Sequence, residues 1–412
     1  MILILSFLLT PDDPGLLFIE NAVLRGEIEY NLSVFPVSSR MVKGEIPERN
    51  GRAEGYFNGD TFYLYTELNL SPFTLGIRVD RPSSPGERPW PSQDSILGAT
   101  FPRGYFLLEN ENWYLLLGRE KPVWGPGYQK LLLGADHPSM DMFYLFSYRF
   151  PKILTLTSFS SFLERSVMDT AIGPERRYLT GHRLDFDFGK LKFAFSEVVL
   201  YGGKGRQPEL YYMNPLLLFY GEQYNVHIDD NILWDLEIRY VHKPSLQVYG
   251  ELLVDDFQYN PEDVESPMLG GIAGVLLSLP DLEYLRIEYG AICAWVYNQP
   301  RPRNRYVHHG RIIGSKYGPD ADLLVIEARK ELSPECMIEG VLRYWRKGEN
   351  TPFTPYPDVH SEDADTAFQE WFLTGKVTTK VEGGAYITFF SGNWYMKLGW
   401  EKALRGWIGY SW

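Results

Sequence analysis

The chain has 412 residues and a formal net charge of −13, and this acidic balance disfavours nucleic acid as a partner because phosphate binding needs a basic surface. The mean hydropathy is −0.24, and no apolar run approaches the ~20 residues that a membrane helix requires, so the composition excludes a helical membrane protein. Aromatic residues make up 15% of the chain. This composition is compatible with a β-barrel, whose strands hide their apolar residues by alternating them with polar ones.

The first ten residues are nearly all apolar and resemble the apolar part of an export signal. They lack basic residues ahead of the apolar stretch and a clear small-residue cleavage site. We interpret residues 1–10 as a truncated or atypical signal segment, with a buried first strand as the alternative. Residues 24–34 have the alternation of a strand, but counting them makes the number of strands odd.

From about Arg52 onward, alternating segments of about 8–13 residues are separated by tight turns or by long polar insertions. The clearest hairpin joins 184–188 to 191–195 through the Gly189-Lys190 turn. No helical periodicity is sustained along the chain, so we predict an all-β fold. The predicted strands cover 51–57, 61–69, 73–80, 103–109, 113–119, 143–149, 153–163, 177–188, 190–201, 230–241, 245–255, 268–279, 284–297, 321–332, 335–347, 369–381, 384–400 and 404–412.

The long insertions and the tight turns fall at opposite ends of these strands, apart from one short turn at Asn58-Gly59-Asp60 on the side of the insertions. Bacterial outer-membrane barrels have short periplasmic turns, longer extracellular loops and an even number of strands. We therefore predict a closed antiparallel transmembrane β-barrel of about eighteen strands at 51–412, in the bacterial outer membrane. Residues 11–50 are predicted to lie at its periplasmic mouth or in its lumen. The long insertions cover 81–102, 120–142, 202–229, 256–267, 298–320 and 348–368.

The last strand places Ile408, Tyr410 and Trp412 on one face, as expected of a wall that meets lipid at an aromatic girdle. It resembles the carboxy-terminal signal by which outer-membrane barrels are passed to their assembly machinery. This machinery, outer-membrane lipid and lipopolysaccharide are therefore predicted partners, and the last strand of a soluble sandwich is the alternative. The predicted strand 384–400 is long and contains Ser391-Gly392-Asn393, which is either a bulge within the strand or a turn.

The stretch from Gly118 to Tyr128 is the sharpest local motif, because its proline and glycines fix an irregular backbone. Trp124 and Tyr128 supply flat faces of the kind that stack on sugar rings. The three leucines at 131–133 then return to apolar sequence. Two interpretations stay open: sugar contact by the aromatic residues, or a loop anchor that plugs the lumen by packing.

A second cluster consists of Asn214-Pro215, Tyr224, Asp230-Asn231 and Asp255-Asp256. The run from Gly118 through the three leucines, with the later Asn-Pro, Asp-Asn and Asp-Asp pattern, resembles the signature region of the Wzi-type capsule assembly family. The resemblance implies an outer-membrane β-barrel that binds capsular polysaccharide and helps to hold it at the cell surface. The chain departs from the family where Asp136-His137-Pro138 replaces an Asn-rich segment with Arg-Pro.

A basic stretch at 300–311 runs against the acidic background, with arginines interleaved with prolines and followed by His308-His309. We predict that this loop is extracellular or folds into the lumen. Its arginines would bind carboxylates of an acidic polysaccharide, or lipopolysaccharide phosphates, through bidentate contacts; a loop that balances nearby acids is the alternative. The predicted polysaccharide-binding residues are Arg119, Trp124, Tyr128, His137, Tyr224, Asp230, Asn231, Asp255, Asp256, Arg301, Arg303 and Arg305.

Catalysis has little support, since the sequence has no Gly-x-Ser-x-Gly elbow, no His-Glu-x-x-His and no phosphate-binding glycine loop. The acids at 229–230 and 255–256 lack the spacing of a dedicated Ca²⁺ loop, so we predict neither a metal nor a cofactor. Cys293 and Cys336 are interpreted as inert thiols, with a disulfide left open. The leading hypothesis is a non-enzymatic barrel that binds capsular or other surface polysaccharide. The alternatives are a porin for sugars or anions and a secreted β-sandwich glycosidase.

Overall fold

In the computed structural model, eighteen antiparallel strands close into one barrel, which confirms the predicted fold. The last strand pairs with the first, from Gly406 opposite Phe57 to Ser411 opposite Arg52. Predictions that concern residues 1–7, Asp229 and Trp412 lie outside the described residues. The structure describes residues 8–9, 16–25, 33–38, 50–58, 61–70, 73–81, 99–151, 153–166, 175–228, 230–242, 245–256, 267–357, 368 and 370–411.

The barrel strands are numbered β1 to β18 in chain order. Their bounds are Gly51–Asn58, Thr61–Asn69, Phe73–Arg81, Thr100–Glu109, Trp113–Glu120, Met140–Arg149, Leu154–Ser166, Glu175–Phe188, Leu191–Gly203, Asn231–His242, Leu246–Asp256, Met268–Leu279, Leu282–Ile292, Ala321–Ser333, Cys336–Lys347, Thr378–Ser391, Trp394–Glu401 and Ala403–Ser411. Shorter elements outside the barrel are the two-residue strands Leu8–Leu9, Val34–Phe35, Val37–Ser38, Val123–Trp124, Val307–His308 and Arg311–Ile312, and a 3₁₀ turn at Pro302–Asn304.

The wall of the barrel is built by alternation, because successive side chains of a strand point to opposite faces. On β2, Phe62, Leu64 and Leu68 are exposed on the outside, whereas Tyr63 and Tyr65 are buried in the lumen. The outward residues form an apolar surface of the kind that meets lipid. The inward residues of most strands are polar or charged and are covered by chain segments that enter the lumen.

The connections sort by length between the two ends of the barrel. Connections after even-numbered strands span only two to four residues, whereas the other end carries the longer segments 82–99, 121–139, 204–230, 293–320 and 348–377. Two short links also lie at this second end, between Asn58 and Thr61 and at Lys402. The first of these exceptions is predicted from the sequence; the second, at Lys402, is not, and it is a single residue with φ of +68°.

The predicted single strand 384–400 is wrong, because Ser391-Gly392-Asn393 is a turn rather than a bulge: Gly392 and Asn393 form a two-residue turn between β16 and β17. Ser391 pairs with Trp394 across this turn, and Gly392 has φ of +57°, the left-handed conformation that such turns require and glycine adopts without strain. The predicted break between strands 369–381 and 384–400 is also wrong, since Gly383 and Gly384 both lie inside β16. The two errors compensate, so the number of strands is unchanged.

Within the described ranges, two short helices with assigned bounds interrupt the expected all-β pattern: α1 at Leu16–Arg25 and α2 at Phe219–Val226. Neither of these described helices is long and apolar enough to cross a membrane. Helix α1 lies against the inner wall of the barrel, where Glu20 forms ion pairs with Arg286 and Arg329. The strand-like stretch at 24–34 therefore begins in a helix, because contacts with the lumen decide its conformation more strongly than its alternation does.

Candidate functional site

The segment between β5 and β6, residues 121–139, enters the lumen and fills it; we call it the plug. Trp124 and the leucines at 131–133 have no exposed surface. The ring of Trp124 meets Phe159 of the wall edge-on at 5.4 Å, and its backbone N–H donates to the Leu133 carbonyl at 3.0 Å. Of the two interpretations of this motif, Trp124 fits packing within the plug.

Carboxylates of the inner wall accept hydrogen bonds from backbone N–H groups of the plug. Glu288 accepts hydrogen bonds from the N–H groups of Tyr128 (2.6 Å) and Gln129 (2.8 Å), and Glu251 accepts one from Leu131 at 2.7 Å. An irregular segment leaves such groups without a ladder partner, and buried N–H groups must be satisfied. A Cβ at Gly127 would collide with the Glu288 carboxylate, so a larger residue there would push the carboxylate away from these hydrogen bonds.

Half-buried Lys130 and buried His137 close the plug on itself. Lys130 Nζ donates to the carbonyls of Gly125 (2.7 Å) and Gly127 (2.5 Å), and burial lowers the pKa of Lys130 to about 8. The ring nitrogens of His137 lie 2.7 Å from the Pro138 carbonyl oxygen and 3.2 Å from that of Pro122. Burial lowers the pKa of His137 to about 3, so this imidazole is neutral at physiological pH.

The segment 293–320, between β13 and β14, covers the plug and carries the basic stretch. The hydroxyls of Tyr297 and Tyr306 donate to the carbonyls of Leu131 (2.6 Å) and Leu132 (3.0 Å). The guanidinium of Arg177, on the inner wall, holds the same segment through three backbone carbonyls. It donates to the carbonyls of Arg303 (2.7 Å), Arg305 (2.6 Å) and Val307 (3.0 Å).

A cavity of about 420 Å³ remains between the plug and the inner wall of β14 to β18. It reaches from exposed Lys316 and Asp136 at the end of the long segments down to Glu20 of α1. Aromatic and basic side chains line it together, a combination that presents flat faces and charged hydrogen-bond donors to one ligand. The aromatic residues are Phe35, Tyr128, Tyr317, Tyr386 and Trp407; the basic residues are Lys130, Arg239, Arg286, Lys316, Arg329, Arg343, Lys397 and Arg405.

The donors in this cavity are ordered by neighbouring acids and rings. Arg343 donates to the Tyr128 hydroxyl at 3.1 Å and forms an ion pair with Glu401. Lys397 lies 4.7 Å from the centre of the Tyr386 ring and 5.8 Å from that of Trp407. The arrangement offers hydrogen-bond donors, acceptors and ring faces within one enclosed space, which suits a polyhydroxylated ligand.

The two phenols on the plug side of the cavity keep their protons. Burial raises the pKa of Tyr317 to about 12 and also raises the pKa of Tyr128 above its usual range. Both hydroxyls are therefore neutral donors and acceptors at physiological pH. They add no negative charge to a cavity that already contains several carboxylates.

The structure distributes the predicted site residues among several regions. Only Tyr128 lines the cavity. Trp124 and His137 are buried in the plug, and Arg119 lies on the outer wall, where Asp141 holds it through two bonds of 2.7 and 3.0 Å. Tyr224 and Asp230 belong to the segment after β9, whereas Asn231, Asp255, Arg303 and Arg305 gather around the 293–320 segment. Arg301 is exposed on that segment, and Asp256 is half-buried at the end of β11.

Sequence reasoning missed the other cavity residues, of which Trp407 and Arg343 are the clearest cases. The alternation that puts Ile408 and Tyr410 on the lipid side also puts the neighbouring Trp407 inside the barrel. The same sequence pattern therefore indicates that Trp407 faces the lumen. Arg343 lies next to outward-facing Tyr344 in the same way. Among the described residues, no group of three or more His, Cys, Asp or Glu is placed to hold a metal ion.

Comparison with known proteins places these features in context. The family model described as capsule assembly protein Wzi matches residues 49–399. A solved structure of Wzi from Escherichia coli, described as a carbohydrate-binding outer-membrane β-barrel involved in group 1 capsule assembly, is similar with a TM-score of 0.65 and 14% identity, and the match covers 99% of each chain. A comparison with curated protein sequences finds no match.

Two further solved structures of outer-membrane proteins align with lower scores. The outer membrane protein OprD from Pseudomonas aeruginosa aligns with a TM-score of 0.44 and 8% identity over 88% of this chain and 92% of its own. The anion-selective porin from Comamonas acidovorans aligns with a TM-score of 0.39 and 13% identity over 88% of this chain and 97% of its own.

Proposed function

We propose that this chain, which belongs to the Wzi capsule assembly family, binds capsular or another surface polysaccharide and holds it at the cell surface. The protein is a barrel of the bacterial outer membrane, and its long segments face the exterior. The observation that carries the proposal is the cavity between the plug and β14 to β18, where aromatic faces and basic side chains meet. The carbohydrate-binding description of the Escherichia coli relative supports the same role.

Each part of the cavity has a task in this proposal. Tyr128 and Tyr317 present their rings to the first sugar units at the outer opening, and Trp407 stacks on units that enter further. Lys316 and Arg343 donate hydrogen bonds to hydroxyls or to carboxylates of an acidic glycan. The exposed Arg301, on the segment above the plug, extends this basic surface toward the exterior.

The remaining predicted residues act indirectly in this proposal. Trp124 and His137 keep the plug in place, and Asn231 holds the 293–320 segment by donating to the Asn304 carbonyl at 2.9 Å. Binding requires no bond to be broken, so we propose a role without catalysis. We further propose that the last strand engages the barrel assembly machinery and that the outer wall contacts lipid and lipopolysaccharide.

The test is retention of polysaccharide by the detergent-purified protein, with immobilised polygalacturonate as an acidic probe and dextran as a neutral one. Tyr128→Ala and Trp407→Ala should each weaken retention about 10-fold, which corresponds to ~1.4 kcal/mol and is typical of losing an aromatic contact. Tyr344→Ala and Trp400→Ala are matched controls, because these side chains are exposed on the outside of the wall. Their retention should equal that of the unaltered protein.

Unchanged retention in both cavity variants would overturn the assignment of the site. A steady conductance of the unaltered protein in a planar bilayer, without retention of either probe, would instead favour the porin. For each variant, the electrophoretic mobility of boiled and unboiled samples is compared. A heat-dependent shift in mobility shows that the barrel is closed, so a loss of retention is not mistaken for misfolding.

A further inference from the structure

The outer wall of β8 and β9 carries polar side chains where lipid-facing residues are expected. His182 and Glu197 are cross-strand neighbours, and their side chains lie 3.3 Å apart. Their positions in the alternation put both on the outside, in phase with the exposed Phe188 and Phe193. Yet His182 is only 3% exposed and Glu197 is fully buried. A part of the chain must therefore cover the outside of the wall here.

The cover is the segment after β9, residues 204–228, which we call the outer flap. The backbone N–H groups of Phe219 and Tyr220, at the start of α2, donate to the Glu197 carboxylate at 2.7 and 3.0 Å. Trp234 Nε1 donates to the same carboxylate at 2.8 Å. The Tyr144 hydroxyl, on β6, donates to the Met213 carbonyl at 2.9 Å. The flap is thus fixed to the outer wall by its own backbone.

Aromatic rings complete the contact between the outer flap and the wall. Tyr212 packs on Tyr201 with ring centroids 4.9 Å apart, and Phe219 packs on His182 at 4.4 Å. Tyr201, Tyr212 and Phe219 form, with Tyr178 and Val199, a buried cluster separate from the core inside the lumen. The polar wall residues are therefore isolated from whatever lies outside the flap.

The outer flap reaches below the upper limit of the lipid-facing band. Phe188 marks the periplasmic edge of the wall, next to the Gly189-Lys190 turn, and His182 lies six residues further along β8. At ~3.3 Å per residue and a strand tilt of about 40°, His182 lies ~15 Å above Phe188. Because the apolar band of such barrels is ~25 Å tall, the lower edge of the flap lies ~10 Å inside it.

The side of the outer flap that faces away from the wall is rich in exposed apolar side chains. Leu216 is 81% exposed, Leu218 62% and Tyr224 57%. Leu210 and Val226 are exposed on the same segment. The neighbouring wall continues this surface with exposed leucine and isoleucine on β10 and β11, namely Leu236, Ile238 and Leu252.

We propose that the outer flap is immersed in the outer leaflet of the membrane, where its apolar side chains contact lipid acyl chains. Its depth of ~10 Å is that of elements which lie in the interface between head groups and acyl chains. The exposed apolar surface of the flap is continuous with the lipid-facing wall. The backbone N–H groups at the start of α2 donate to Glu197 on the wall side, so they need no partner in the lipid. The inference is independent of polysaccharide binding, and it assigns Tyr224 to the lipid side rather than to the glycan.

The experiment places a nitroxide label on the outer flap and compares its collisions with oxygen, which concentrates in lipid, and with a water-soluble nickel chelate. Leu218→Cys and Tyr224→Cys are labelled singly after replacement of Cys293 and Cys336 by serine. The protein is reconstituted in vesicles of phosphatidylcholine and lipopolysaccharide. Leu252→Cys, on the lipid-facing wall, and Phe353→Cys, on an exposed outer segment, are the lipid and water references.

The ratio of oxygen to nickel collisions at both flap positions should equal that at position 252 and exceed that at position 353 several-fold. A ratio equal to that at position 353 would place the outer flap in water and overturn the proposal. Low collision rates with both reagents would show that protein, such as a second copy of the chain, covers the flap, and would overturn it as well. Each labelled variant is accepted only if its heat-dependent mobility shift is retained.

Discussion

The plug and the outer flap leave the barrel at the same end but pack on opposite faces of its wall. Both are irregular segments, and both are held by wall carboxylates that accept consecutive backbone N–H groups. In the lumen, Glu288 accepts hydrogen bonds from the N–H groups of Tyr128 and Gln129. On the outside, Glu197 accepts them from the N–H groups of Phe219 and Tyr220. The same kind of contact therefore fixes both segments, the plug in the lumen and the outer flap on the outside of the wall.

The difference between the two segments lies in the phase of the strand that holds them and in what surrounds them. Glu288 faces the lumen and Glu197 faces outward, because side chains alternate between the faces of a strand. The leucines at 131–133 of the plug are fully buried, whereas Leu216 and Leu218 of the outer flap are exposed. The position of one carboxylate in the alternation thus decides which face of the wall the segment covers.

The largest expected effect comes from removing the central ring of each segment. Trp124→Ala and Phe219→Ala each delete a fully buried aromatic side chain, and such truncations cost about 3–5 kcal/mol. We expect both to lower the midpoint of urea unfolding in detergent micelles. A Phe219→Ala variant as stable as the unaltered protein would show that the outer flap does not pack on the wall, and would break the parallel between the segments.

Replacing the carboxylates tests whether the two segments are independent. Glu288→Gln and Glu197→Gln each leave a buried backbone N–H facing an amide donor, a loss of about 1–3 kcal/mol. We expect Glu288→Gln to produce openings in a planar bilayer without new chymotrypsin cleavage, and Glu197→Gln to produce cleavage of the outer flap without openings. If either variant changed both readouts, the segments would be coupled.

Acid should loosen the plug. His137 has a pKa of about 3 in the fold against about 6.5 when unfolded, so its contribution is complete above pH 6.5 and declines as pH falls toward 3. The decline is about 1.4 kcal/mol per pH unit. We expect more frequent openings in bilayers between pH 6 and 4. His137→Gln should show a flatter pH dependence, and an identical dependence in both proteins would exclude His137 as the cause.

The smallest effect is expected at Arg119, which belongs to neither segment. Its ion pair with Asp141 is exposed on the outer wall, and exposed pairs contribute less than about 1 kcal/mol. Arg119→Ala should change neither the unfolding midpoint nor polygalacturonate retention beyond error. A loss of polygalacturonate retention in this variant would show that the outer wall takes part in binding. The cavity alone would then not explain how the ligand is bound.

The strands were predictable because each is marked by apolar and polar residues that alternate along a short run of the sequence. The failure at 384–400 has a physical reason: Gly383-Gly384 looks like a turn, but both residues pair with Val341 and Leu342 inside a strand. The site was less predictable, because Tyr128, Lys316 and Trp407 come together only when the barrel closes. The motif suggested Trp124 as a sugar-binding residue, but its burial depends on contacts with Phe159 that no local pattern contains.

The guanidinium of Arg177 has a mechanical consequence. Its bonds to the carbonyls of Arg303, Arg305 and Val307 originate from one planar group, so a pull on the 293–320 segment stretches all three at once instead of breaking them one after another. A further bond of 3.0 Å joins Arg177 to Glu164 on the neighbouring strand. Force from a tethered polymer in flowing water would thus pass into two strands of a closed ring, which has no free edge at which to peel.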